Sequence, residues 1–159
     1  MILYIEKKWK KKTGAVIFFW HFFLKKKCQK KNNGGEGYFG IKLLSSNSIK
    51  TGKQVRLIFQ LTQHTRDEFL MKSFIKYFEC GNYYSSQKAG YGDFIVIKLS
   101  DHINKIIPFF LKNKILGEKS KDFNDWCKGV EILKAKEHLT EQGLAKITEL
   151  RNSMNKKRY

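Results

Sequence analysis

Gln54-Val55-Arg56-Leu57-Ile58-Phe59-Gln60-Leu61-Thr62 alternates with a period of two: Val55, Leu57, Phe59 and Leu61 fall on one side, and Gln54, Arg56, Ile58, Gln60 and Thr62 on the other. Successive side chains leave a pleated backbone in opposite directions, so this period marks an extended strand with one buried face. Upstream, Tyr38 to Leu44 shows the same pattern, with Phe39, Ile41 and Leu43 against Tyr38, Gly40 and Lys42. A turn containing Gly52 lies between the two runs, and the pair is predicted to close as an antiparallel hairpin.

Downstream the period changes. Arg66 to Phe78 is predicted helical, with Phe69, Leu70, Phe74, Ile75 and Phe78 forming its apolar stripe and Cys80-Gly81 closing it. A third strand is expected over about Asn82 to Ser85 and a fourth over Asp93 to Leu99, flanking a Gly-containing turn. Ser100 is read as the cap of a helix carrying Ile103, Ile106 and Ile107 and ending near Pro108 to Phe110. Asp122 is read as opening the next helix, with Phe123, Trp126, Val130 and Leu133 inside it. Thr140 is read as the cap of the last, which carries Leu144, Ile147, Leu150 and Met154. The expected class is α+β, with two hairpins forming an antiparallel sheet backed by helices.

Charge narrows the partners. In 159 residues, 32 Lys and Arg stand against 14 Asp and Glu, a formal +18, while 42% hydrophobic and 14% aromatic residues argue for a folded domain. Such a cationic surface gains free energy by displacing counterions from a phosphate backbone, which puts nucleic acid first among partners and an anionic membrane surface second. Lys, Asn, Ile, Phe and Tyr are abundant, a bias expected of an AT-rich organelle genome. Cys28, Cys80 and Cys127 are far apart with no CxxC pair, as are His21, His64, His102 and His138, which argues against a zinc site, a disulfide framework or a histidine-based catalytic cluster.

Residues 1–33 read differently. Lys7 to Lys12 and Lys25 to Lys31 are basic runs around an apolar stretch, Ala15 to Leu24. That stretch is half the roughly twenty residues a spanning helix needs, and it lacks the features of a secretory or transit signal, so an atypical leader or relic helix is expected and no membrane partner.

A twisted β-ribbon fits the major groove, where alternate side chains reach base edges and phosphates. On the second strand those side chains are Gln54, Arg56, Gln60 and Thr62; on the first, Tyr38 and Lys42. The same pattern also describes an ordinary solvated sheet face, and the charge favours binding.

Seven short runs, in order, extend this reading: Gly35-Glu36-Gly37-Tyr38-Phe39 with Phe59-Gln60-Leu61-Thr62-Gln63-His64, Cys80-Gly81-Asn82-Tyr83-Tyr84, Asp93-Phe94-Ile95-Val96, Lys105-Ile106-Ile107-Pro108-Phe109-Phe110, Asp122-Phe123-Asn124-Asp125-Trp126-Cys127 and His138-Leu139-Thr140-Glu141-Gln142-Gly143-Leu144. Together they resemble the C-terminal repeat of the single-chain LAGLIDADG homing endonucleases over residues 34–158. The resemblance implies an αββαββα half, a four-stranded saddle-shaped sheet lying on double-stranded DNA, and pairing with a second half, from a homodimer or an N-terminal repeat, through the LAGLIDADG helices. It implies Mg²⁺-dependent double-strand cleavage in intron mobility, with Glu36 as the catalytic acid and metal ligand; a carboxylate suits a hard cation that activates water. Tyr84 and Ser86 join the DNA-contacting set. A basic residue is expected near the scissile phosphate; its place is held by Ser86, and Lys88 is the nearby cation that substitutes.

One departure bears on activity. Residues 25–33 read Lys-Lys-Lys-Cys-Gln-Lys-Lys-Asn-Asn where an apolar, small-residue helix should precede Glu36. Unpaired ammonium groups are costly to bury, so the expectation is a truncated, frame-shifted or decayed copy. Two functions therefore stand together: a cleaving endonuclease half, and a non-cutting binder of DNA or intron RNA, of the kind that assists splicing as a maturase. A ribosomal RNA-binding protein fits the charge and not the ordered series of motifs.

Overall fold

A computed structural model describes residues 36–115 and 117–154. The expected leader, residues 1–33, and any helix preceding Glu36 lie outside them. Strand β1 (Glu36–Ser45) and strand β2 (Lys53–His64) form the expected hairpin, antiparallel from Glu36 opposite Thr62 to Ser45 opposite Lys53. Gly52, at φ +67°, makes the turn between them, its N–H donating to Ile49 O at 2.7 Å. After a 3₁₀ turn (Thr65–Asp67) comes helix α1 (Glu68–Phe78), then strands β3 (Asn82–Ser86) and β4 (Tyr91–Val96). The sheet order is β1-β2-β4-β3, antiparallel throughout, so β2 and β4 occupy its centre.

Three further helices follow. Residues 99–112 form α2, composed of an α turn (Leu99–Asp101), a π segment (His102–Ile106) and an α segment (Ile107–Lys112). Helix α3 spans Glu118–Lys134 and α4 spans Glu141–Ser153. The helices cover one face of the sheet, and an aromatic cluster fills the space between. Phe39 is its hub, with ring centroids 5.2 Å from Phe110 and 5.3 Å from each of Phe59, Phe123 and Trp126. Burying rings of this size, in offset and edge-on arrangements, contributes most of the free energy that fixes sheet against helices.

The structure corrects several sequence readings. Helix α2 has Lys98, not Ser100, at its N-cap and runs through Pro108 to Lys112. The wide π segment lies just before the proline, which sits in the first turn of the next α segment, where its missing N–H is tolerated. Helix α3 begins at Glu118, so Asp122 is a buried helical residue, 3.6 Å from Lys119 Nζ, and not a cap. Strand β4 stops at Val96, short of Leu99. Phe69 is 79% exposed, whereas Met71, Phe74 and Phe78 make the buried stripe of α1. At about 100° per residue, Phe69 lies nearly opposite Met71.

Candidate nucleic-acid interface

The helix-free face of the sheet carries the candidate residues. Pairing register assigns them: Tyr38 stands across from Gln60, Lys42 from Arg56, and Leu44 from Gln54. On β4, Ile95 is opposite Gln60, Asp93 opposite Thr62 and Tyr91 opposite His64; on β3, Asn82, Tyr84 and Ser86 continue the same rows. Tyr38, Lys42, Arg56, Gln60, Thr62, Tyr84 and Ser86 thus share one surface, the side of the sheet away from Phe39, Phe59 and Phe94. Gln54 shares it at the far end of β2, where it is exposed.

Ile58 departs from its expected exposure and is buried, at 5%. It lies across from Gly40, and the Tyr38 ring sits directly over Gly40 on the same face, where any Cβ would collide with it. This close approach requires glycine. Tyr38 is half-buried as a result, and burial pushes its phenol above the usual value, with Asp122 adding to the rise and Arg151 opposing it.

The two ends of the sheet differ in chemistry. At one end Lys42, Gln54 and Arg56 cluster by register on the outer face. At the other end the start of β1, the end of β2, the start of β4 and the end of β3 come together, which brings Glu36, Thr62 and Ser86 to a single edge of the sheet. Glu36 pairs with Thr62 and Thr62 with Asp93, so Asp93 lies two strand spacings, about 10 Å, from Glu36. Lys88 is exposed in the short 3₁₀ turn (Gln87–Ala89) joining β3 to β4 at that same end, two residues beyond Ser86. Of the acid and the cation that sequence reasoning named as catalytic, both therefore occupy one end of the sheet.

Sequence reasoning missed Asp93. Thr62 Oγ1 donates to Asp93 Oδ1 at 2.5 Å, and Gln60 Nε2 donates to Thr62 Oγ1 at 3.2 Å. The parity of β4 could have found it, since Phe94 and Val96 are the core residues and Asp93 alternates with them. His64 was also overlooked; its Nδ1 accepts from Arg66 N–H at 3.1 Å, a capping role for the turn after β2. Among the described residues, no group of three His, Cys, Asp or Glu side chains is placed to hold a metal ion. Cys80 and Cys127 are unpaired thiols, and burial pushes Cys127 up to about 12, which leaves it unreactive.

A family model described as LAGLIDADG endonuclease matches residues 34–130, from just before β1 into α3. The chain belongs to the LAGLIDADG endonuclease family. It is similar to "Probable intron-encoded endonuclease 2" of Neurospora crassa, with 43% identity over 104 residues, 65% of this chain and 23% of that protein. "Probable intron-encoded endonuclease 3" of the same organism is 33% identical over 113 residues, 71% of this chain and 21% of that protein. Among solved structures, the I-SmaMI LAGLIDADG homing endonuclease bound to cleaved DNA has a TM-score of 0.75 and 45% identity over 77% of this chain and 41% of its own. The I-LtrWI LAGLIDADG homing endonuclease bound to target DNA has a TM-score of 0.74 and 36% identity over 77% and 41%. The chain thus spans about two-fifths of these LAGLIDADG chains, 41%, and less than a quarter of the Neurospora proteins. The α+β unit with a four-stranded antiparallel sheet is the class expected from the hairpin patterns, and its LAGLIDADG fold is the one the family resemblance implied.

Proposed function

We propose that this chain is one half of a homing endonuclease, gripping double-stranded DNA with the helix-free face of its sheet and cleaving only when a second half joins it. The observation that carries the reading is the shared outer face itself, on which Lys42, Arg56, Gln60 and Tyr84 lie while the aromatic core residues of the strands, Phe39, Phe59 and Phe94, face the other way. Lys42 and Arg56 neutralise phosphates, and Gln54 and Gln60 reach base edges in the major groove, with Thr62 beside Gln60 on the same face. Tyr38, Tyr84 and Ser86 extend the contact surface toward the strand edges. That I-SmaMI and I-LtrWI are each bound to DNA in their structures supports DNA as the ligand.

For cleavage, one carboxylate per half suits a hard divalent cation shared with the partner, because such a cation takes several oxygen ligands. Glu36 would supply this half's ligand. A Mg²⁺ ion held by Glu36 would supply a water of lowered pKa and charge neutralisation at the phosphate. I-SmaMI has been seen on an uncleaved DNA target in the presence of calcium ions, another hard oxygen-seeking cation. Lys88, exposed at the Glu36 end of the sheet, is the cation available to the scissile phosphate. The residue bias toward AT-rich codons, with the intron-encoded relatives, supports a mitochondrial gene and product.

The second reading, a non-cutting binder of DNA or intron RNA, draws on Ser86 and on the polar run before Glu36. The purified chain, incubated with Mg²⁺ and duplex DNA spanning its gene's intron-free insertion site, separates the two. Cleavage by the wild type, abolished in Glu36→Gln while binding persists, is the result expected of a competent half that self-associates. Binding without cleavage assigns the chain to the second reading.

A further inference from the structure

The outer face of a chain with a formal charge of +18 holds a carboxylate, Asp93, with no Lys, Arg or His ion pair among the described residues. Beside a phosphate, this acid would be repelled. Opposite the base edges in the major groove it meets partial positive charge wherever an exocyclic amino group lies beneath it.

Its neighbours have their hydrogen bonds arranged in one direction. A carboxylate only accepts, so Thr62 Oγ1, 2.5 Å from Asp93 Oδ1, must donate its single proton there. The Thr62 oxygen is then left to accept, and the Gln60 side chain turns its nitrogen toward it, at 3.2 Å. Gln60 Oε1 and Asp93 Oδ2 make no hydrogen bond among the described residues, and both sit on the DNA-facing side at the centre of the sheet.

We propose that Gln60, Thr62 and Asp93 act as a polarised relay that presents two acceptors to the groove and selects amino-bearing bases, cytosine or adenine, at two nearby positions of the strand beneath. Asp93 sets the direction: it fixes the Thr62 proton, which fixes the Gln60 amide. This rests on the DNA-binding reading given above and assigns it a sequence preference. Thr62, expected to touch bases itself, is instead mainly a positioning residue, because its proton is already committed.

The test is selection of bound duplexes from a randomised DNA library at low salt by the full chain, its Asp93→Asn variant and its Thr62→Val variant, each checked for folding by circular dichroism. The wild type is expected to enrich cytosine or adenine at both positions. In Asp93→Asn the amide nitrogen can donate to Thr62 Oγ1, with its oxygen left toward the groove; Thr62 can then donate to Gln60 Oε1, and the Gln60 amide reverses to present its nitrogen. Preference should therefore shift toward guanine or thymine at the Gln60 position, by about tenfold for a good base contact, while cytosine or adenine persists at the Asp93 position, where the amide oxygen still faces the groove. Thr62→Val keeps the shape and removes the hydroxyl; it should retain the preference under Asp93 and relax the one under Gln60. A shift at the Asp93 position with the Gln60 position unaltered in Asp93→Asn, or an unaltered Gln60 position in Thr62→Val, overturns the relay while leaving DNA binding intact. Failure of the wild type to retain any duplex overturns the DNA-binding reading and the relay together.

Discussion

His102 is fully buried on α2, its Nε2 3.2 Å from Leu57 O and its ring edge-on to Trp126 at 4.8 Å. A carbonyl can only accept, so Nε2 carries the proton, and Nδ1 has no hydrogen-bond partner. A second proton would place a cation inside an aromatic core. Burial accordingly lowers the His102 pKa below 6.5, with the Leu57 and Ile97 carbonyls and Asp101 partly opposing the shift. The unfolded chain, with a histidine pKa of about 6.5, takes up a proton that the folded state refuses, so this contribution to stability is intact above that pH and is lost as pH falls below it. The urea midpoint should drop between pH 7.5 and 5.5 (about one unit either side of that value), and His102→Gln, which keeps a donor toward Leu57, should flatten the drop while lowering the plateau. An unchanged slope in the variant would mean that another group governs the acid limb.

At the scale of elements, the last helix poses the sharpest test of local geometry. Thr140 caps α4, its Oγ1 accepting from Gly143 N–H at 3.1 Å, as its position in the sequence suggests. Thr140→Ala should cost about 1 kcal/mol in equilibrium unfolding. Gly143 is a helical glycine, and replacement by alanine normally stabilises a helix by about 1 kcal/mol. Here a Cβ would run into the backbone carbonyl of Glu137, which cannot move without disrupting the turn before the helix. Gly143→Ala should therefore lower the melting temperature; a rise would show that the turn yields. These elements also show what the sequence reveals. The β1–β2 hairpin was legible because Phe39, Ile41 and Leu43 on one strand and Val55, Leu57, Phe59 and Leu61 on the other must meet one core. The start of α3 was not, since residues 118–121 are polar and carry no period, while buried Asp122 resembles a cap. The run of α2 through Pro108 depends on a π turn that no local pattern announces. On the candidate interface, parity identified the β2 residues, but Asp93 was read as a strand start and its outward direction went unread.

For the whole molecule the question is whether its charge acts through one surface or diffusely. A formal +18 would weakly attract any polyanion, and binding through the sheet differs from that background in where the counterions are released. Lys42 and Arg56 stand opposite each other on the helix-free face, while Lys128 and Lys134 are exposed on α3, paired with Asp125 at 3.0 Å and Glu131 at 3.7 Å. For duplex DNA, the logarithm of the association constant should fall linearly with the logarithm of salt concentration, by about 0.9 per phosphate neutralised. Replacing Lys42 and Arg56 together by alanine should reduce the slope by about 1.8 if each contacts one phosphate. Replacing Lys128 and Lys134 removes the same formal charge from the opposite layer and should leave the slope nearly unaltered. Fluorescence anisotropy across a salt series measures both. Equal reductions from the two pairs would mean that DNA sees the charge of the whole chain and that the sheet has no privileged role; a reduction from the sheet pair alone would localise the grip to the face that also carries Gln60 and Asp93.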